Sequence, residues 1–213
     1  MTSLRHRLRI DTQYTLLGFP IALSHFAVVV AGVSAGVGGA VAFIGLPILA
    51  GTAAAARGMA DFERVALPDV LDRPVGRPVY RSAPADAGWF RRMMNPLASG
   101  QAVMDMMYGI IAFPFSLAAA VVTLVWWAGA IAGLTFPLYG WILAAIPGVN
   151  QTLPELLGLG DSALMYVGFN TFAGVLFALT LYPVVRGAAL IKASLAQSML
   201  TRAPEPDRKP SLA

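Results

Sequence analysis

Hydrophobic and charged positions are sharply segregated along this chain. Between Asp11 and Arg57 lie 45 residues with no Asp, Glu, Lys or Arg, about twice the roughly 20 that one helix needs to cross a bilayer. The run holds the small-residue stretch Ala31 to Gly39 at its middle, and glycine clusters punctuate turns. Two crossings are therefore expected, near 12–33 and 38–58. A second uncharged run extends from Met106 to Pro154 and a third apolar stretch from Ser162 to Val185. Pro137, Gly140, Pro147 and Gly148 are expected to break the second run after about residue 133. The pattern then predicts a crossing at 103–132, an irregular external segment, and a crossing at 163–187. A fifth crossing through 132–147 would put the termini on opposite sides, which the charges below oppose.

The two halves repeat each other. An offset of 94 residues aligns Asp11 with Asp105, Tyr14 with Tyr108, Phe19 with Phe113 and Pro20 with Pro114. Further on, Ala56-Arg57-Gly58-Met59-Ala60 is echoed by Val185-Arg186-Gly187-Ala188-Ala189. Two hairpins of one orientation imply parallel repeats about an axis along the membrane normal. The expected fold is an all-α integral membrane protein of four transmembrane helices, in two parallel-repeat hairpins, with both termini cytoplasmic. Its single membrane domain covers 1–201, with repeat one at about 8–64, a cytoplasmic loop at about 59–102 and repeat two at about 103–195. The insertion 133–162 is external and 202–213 is a flexible tail. Each repeated residue has an expected structural role: Asp opposes the macrodipole at a helix start, Tyr sits in the interfacial belt, Pro kinks the helix, and the Arg-Gly pairs Arg57 and Arg186 anchor the inner interface.

Composition sharpens this. Of 213 residues 57% are hydrophobic and 12% charged, against about 25% charged in soluble domains, and the mean hydropathy is +0.68. All fifteen basic residues fall in the tails or the middle loop of the four-helix scheme, which assigns those segments to the cytoplasm and accounts for the high pI through an anionic leaflet. That makes nucleic acid an unneeded partner and membrane lipid an expected one. The apolar run is too long for a signal-peptide core. Without cysteine, disulfides and thiolate chemistry are excluded. With two distant histidines, His6 and His25, no metal site is expected. No P-loop, dinucleotide fingerprint, zinc-protease motif or nucleophile elbow occurs, so neither enzymatic activity nor a cofactor is expected.

Polar residues inside a membrane are candidates for function. His25 falls near the bilayer centre, either as a pH-sensitive switch or as a neutral imidazole bonded across the bundle to Ser24 or Asn170. Asn170 and Thr171 also suit interhelical bonding. The external segment is the candidate sensing surface, with Trp127, Tyr139, Trp141, Glu155 and Asp161. On the inner side Trp89 to Met94 reads as a short interfacial amphipathic helix.

The runs Tyr14 to Pro20, Phe43 to Gly51 and Ala56 to Arg64, followed by Trp89-Phe90-Arg91-Arg92, Asn95-Pro96, Tyr108 to Pro114, Leu153-Pro154-Glu155 and Val184 to Gly187, resemble the putative-sensor membrane domain of actinobacteria. The resemblance covers about residues 8–200. It implies a multi-pass cell-membrane protein in signal transduction, a domain found fused to two-component histidine kinases or standing alone. The sequence ends at Ala213 without a kinase region, so the implied partner is a separate signalling protein such as a histidine kinase. Self-association is left open. A small transporter or channel, or a structural subunit of a membrane complex, are the competing expectations.

Overall fold

The computed structural model describes residues 4–42, 44–78, 80, 84, 86, 88–146, 158 and 162–201. Helix α1 spans Leu4–Gly38, with Pro20 inside it. A 3-10 turn, Gly39–Ala42, leads to α2, Gly45–Leu71. Helix α2 ends where Asp72 adopts a left-handed conformation, φ 58°, and its N–H reaches the Pro68 carbonyl. Short α3, Trp89–Met94, and the 3-10 turn Asn95–Ala98 precede α4, Gly100–Ala144. Helix α5 spans Ala163–Leu200. The side chains of Ser99 and Ser162 accept the Ala102 and Met165 N–H groups, satisfying first-turn donors that have no partner within a helix.

Three helices, α1, α4 and α5, are long and apolar enough to cross a membrane. Helix α2 is not among them, because Arg57, Asp61, Glu63 and Arg64 follow only twelve residues after its start. Four spans is thus more than length and composition carry. Two other boundaries also change. Helix α2 continues to Leu71, so the middle loop does not begin at residue 59. Helix α4 runs unbroken through Pro137 and Gly140 to Ala144, so residues 133–144 are helical rather than irregular. Gly133 lies against the backbone of Gly174, and Gly140 lies against Phe136 and Val167. These glycines are sites of close helix approach; within an apolar helix neighbouring groups satisfy what a proline frees. Residues 147–157 and the tail 202–213 lie outside the described residues.

Helices α1 and α2 form an antiparallel hairpin closed by small residues. A side chain at Gly32 would strike Thr52, and one at Gly36 would strike Leu49. At the other end Arg7 pairs with Asp72. Helices α4 and α5 form a second, longer antiparallel hairpin, from Gln101 at the Met199 carbonyl to Phe136 against Tyr166.

The relation between the hairpins overturns the parallel-repeat arrangement. Along α1, Thr12 meets Trp127, Thr15 meets Thr123, Phe19 stacks on Phe113, and His25 lies against Gly109. As the α1 number rises the α4 number falls, so these helices are antiparallel. Asp11 meets Arg186 and Gly18 meets Lys192, so α1 and α5 run the same way. The chain therefore enters and leaves the bundle at opposite ends, against the expectation of both termini on one side.

The repeat itself survives. Buried positions Asp11, Tyr14, Thr15, Gly18, Ala22, His25, Val29 and Gly36 of α1 fall 94 residues before buried Asp105, Tyr108, Gly109, Ala112, Ser116, Ala119, Thr123 and Ala130 of α4. Ala56, Ala60, Glu63, Arg64 and Leu67 of α2 match buried Val185, Ala189, Lys192, Ala193 and Ala196 of α5 at the offset of Arg57 to Arg186. The halves are thus related by a local twofold axis across the helices. Phe19 stacks on its own counterpart Phe113, with ring centroids 6.5 Å apart.

Candidate functional site

Where the hairpins cross, charges are buried. Glu63 of α2 and Lys192 of α5 occupy equivalent repeat positions, and Lys192 Nζ stands 3.1 Å from Glu63 Oε1 with side-chain exposures of 1% and 7%. Burying one ion in an apolar interior costs several kcal/mol unless a partner and further hydrogen bonds compensate. Here Tyr14 Oη donates to Glu63 Oε1 at 2.5 Å, and the buried Tyr108 packs in the same cluster as Tyr14. Lys192 Nζ lies 3.9 Å from the Tyr14 ring centroid, a cation–π geometry. It also donates to the Tyr14 carbonyl at 3.4 Å. Gly18 leaves room for the ammonium, since a Cβ there would collide with it.

Two acid–arginine groups flank this pair. Arg186 Nη1 donates to Asp11 Oδ1 at 2.8 Å and to the Val70 carbonyl at 2.9 Å. Arg64 pairs with Asp105, donates through Nη1 to Asp61 at 2.7 Å and through Nε to the Leu200 carbonyl at 2.9 Å. Asp105 also accepts from Tyr80 at 2.6 Å and from Gln101 at 3.0 Å. The Arg57 guanidinium stacks over the Tyr80 ring, 3.5 Å from its centroid. Burial, reinforced by the Asp105 carboxylate, pushes the Tyr80 hydroxyl above its ordinary pKa, so it remains a donor. A cavity of about 260 Å³ between α1 and α2 reaches this centre past Tyr14, Leu17, Phe62 and Glu63.

The repeated residues are structural in a different way from that expected. Asp11 and Asp105 lie inside their helices, not before a start, and hold arginines. Tyr14 and Tyr108 are buried against Glu63 rather than interfacial. Arg186 is an internal ion-pair partner, and Arg57 stacks on an aromatic ring. Pro20 and Pro114 lie within continuous helices.

The proposed sensing residues do not gather. His25 is buried beside the Tyr108 ring, centroids 6.0 Å apart, and its Nε2 has no partner among the described residues. Asn170 donates to the Tyr166 carbonyl on its own helix, so it does not bridge to His25. Trp127 Nε1 donates to Thr12 at the α1–α4 contact and is not external. Tyr139 bonds to the Ala132 carbonyl, and Trp141 is exposed on α4. Glu155 and Asp161 lie outside the described residues. Among the described residues no cluster suited to a metal ion occurs.

Sequence reasoning missed Glu63, Arg64, Tyr80 and Lys192. The repeat held a signal for two of them: the register of Arg57 on Arg186, carried on six residues, places Glu63 on Lys192.

An all-helical fold with three apolar helices long enough to span, and with the pairs Glu63–Lys192, Arg64–Asp105 and Asp11–Arg186 set into the junction of the two hairpins, defines a multi-pass membrane protein. A family model, described as Putative sensor, matches residues 14–200, and the chain belongs to that family. No curated protein and no solved structure matches it.

Proposed function

We propose that this protein is a sensor or accessory module of the cell membrane. It detects a signal at the membrane surface or in the bilayer and relays it to a signalling partner such as a histidine kinase, without catalysis of its own. Family membership over residues 14–200 carries this reading, and the absence of catalytic signatures in the sequence agrees with it. The relay element is the charged junction. Glu63, Asp105 and Asp11 each bind a cation from the opposite hairpin or the opposite half, so a shift of one hairpin exchanges a set of discrete partners, and packed interfaces switch rather than deform continuously.

Affinity capture from native membranes after brief crosslinking, with mass spectrometry, tests the proposal. Recovery of a kinase, regulator or transporter supports it. Substrate flux by the isolated protein in liposomes, with no signalling protein captured, overturns it.

One observation favours a second reading, a small transporter. Antiparallel repeats with charged groups at their interface are the arrangement of many secondary transporters, and intramembrane ion pairs often mark pathways. Flux that disappears in Lys192→Met would select this reading.

A further inference from the structure

We propose that the cavity lined by Arg57, Arg64, Arg77 and Tyr80 is a binding site for a phosphate-bearing anion. The proposal is independent of the sensor reading. The cavity measures about 270 Å³ and its remaining walls are Asp61, Val65 and Pro78. That is just below the 300–1,000 Å³ of ordinary small-molecule pockets, a size for a headgroup rather than a large ligand.

Its charge is unbalanced. Arg57, Asp61 and Arg64 stand one and two turns apart on one face of α2, and the segment after α2 folds back to bring Arg77 and Tyr80 over them. The single carboxylate, Asp61, is already held by Arg64 Nη1. Among the described residues neither Arg57 nor Arg77 has an ion-pair partner. Arg57 is fixed by stacking on Tyr80, and Tyr80 is fixed in turn by its bond to Asp105. A stacked guanidinium keeps its in-plane N–H donors free at the edge, the geometry that takes a phosphate oxygen pair bidentately. Arg64 is held by Asp105, Asp61 and the Leu200 carbonyl, so its charge is positioned without requiring a ligand. Two sources offer this chemistry: an anionic phospholipid headgroup, whose chains would lie along exposed Val65 and Phe62, or free phosphate.

Purified full-length protein in mild detergent is to be offered equal amounts of phosphatidylglycerol and phosphatidylcholine, and retained lipid read by native mass spectrometry. Inorganic phosphate is titrated separately with thermal unfolding as the readout. Preferential retention of phosphatidylglycerol, reduced about tenfold in the double variant Arg57→Gln/Arg77→Gln, identifies a headgroup site. A phosphate-dependent rise in melting temperature that the double variant loses, without lipid preference, identifies free phosphate. Arg91→Gln, on exposed α3, controls for general loss of charge, and circular dichroism confirms helix content. Binding unchanged in the double variant, an equal loss in Arg91→Gln, or no binding of either anion overturns the proposal.

Discussion

Asp11 and Asp105 are the same residue of the repeat, yet they are used differently. Asp11 has one side-chain partner, Arg186, on Oδ1, and its Oδ2 has none among the described residues. Asp105 engages Arg64, Gln101 and Tyr80, filling both oxygens. Strict symmetry would pair Asp105 with Arg57, the counterpart of Arg186. Tyr80 stands between them instead, bonding to one and stacking under the other. Arg64, whose counterpart is the apolar Ala193, takes the vacated role. The duplicated helices supply a shared frame of buried positions. The connector after α2, belonging to one half only, turns one copy into an open, cation-lined site and leaves the other closed.

The largest effect is expected on the axis the two sites share. Lys192→Met strands the Glu63 carboxylate in the interior and should cost about 3–5 kcal/mol, whereas adding Glu63→Met should restore most of it. Thermal unfolding in detergent measures both, and equal loss in the single and double variants would show that the pair is not coupled. Next, Asp105→Ala and Asp11→Ala separate the two copies directly. Asp105 leaves three donors unsatisfied and Asp11 principally one, so the first should be more destabilising by about 2 kcal/mol; comparable losses would dissolve the contrast.

Gly109→Thr makes α4 match Thr15 of α1 and should still destabilise by about 1–3 kcal/mol. A Cβ there would come 2.6 Å from the His25 ring. Faster hydrogen exchange along α1 and α4 is the expected signature, relieved by His25→Ala. The smallest effect is that of Tyr80→Phe, about 1 kcal/mol for one hydrogen bond, with the Arg57 stack retained. Because burial and Asp105 raise the Tyr80 pKa, its contribution is fully present below the ordinary tyrosine range. It is lost as pH rises through the raised folded value. An ultraviolet titration should show equal tyrosinate formation in parent and variant through the ordinary tyrosine range, the parent's additional ionisation appearing only above it; an extra tyrosinate in the parent within that range would show that Tyr80 is not held as a donor.

Much of the frame was legible in the sequence. Charge-free runs announced apolar helices at 12–33, 103–132 and 163–187, and each lies inside a helix that extends further at one or both ends. Charges mark the expected starts and ends at Asp11 and Arg186, small residues that after 33 and Pro137 with Gly140 that after 132, and the helices run past all of them. Arg57, Arg64, Arg186 and Lys192 lie within helices, and all but Arg57 are neutralised by carboxylates. Counting basic residues to assign a cytoplasmic side presumes that each is solvated, and that failed for these three. Of the candidate sensing residues, aromatic character at 139 and 141 was visible, but nothing local reveals that Trp127 bonds across to Thr12.

The sequence by itself determined the apolar class, the helical segments, the family and the internal repeat, because hydropathy and periodicity are properties of neighbours along the chain. Only the tertiary structure decided how the two copies face each other. Parallel and antiparallel hairpins bury the same faces with the same pattern. The choice rests on which charges meet across the interface, Glu63 with Lys192 and Asp11 with Arg186, pairings separated by 129 and 175 residues.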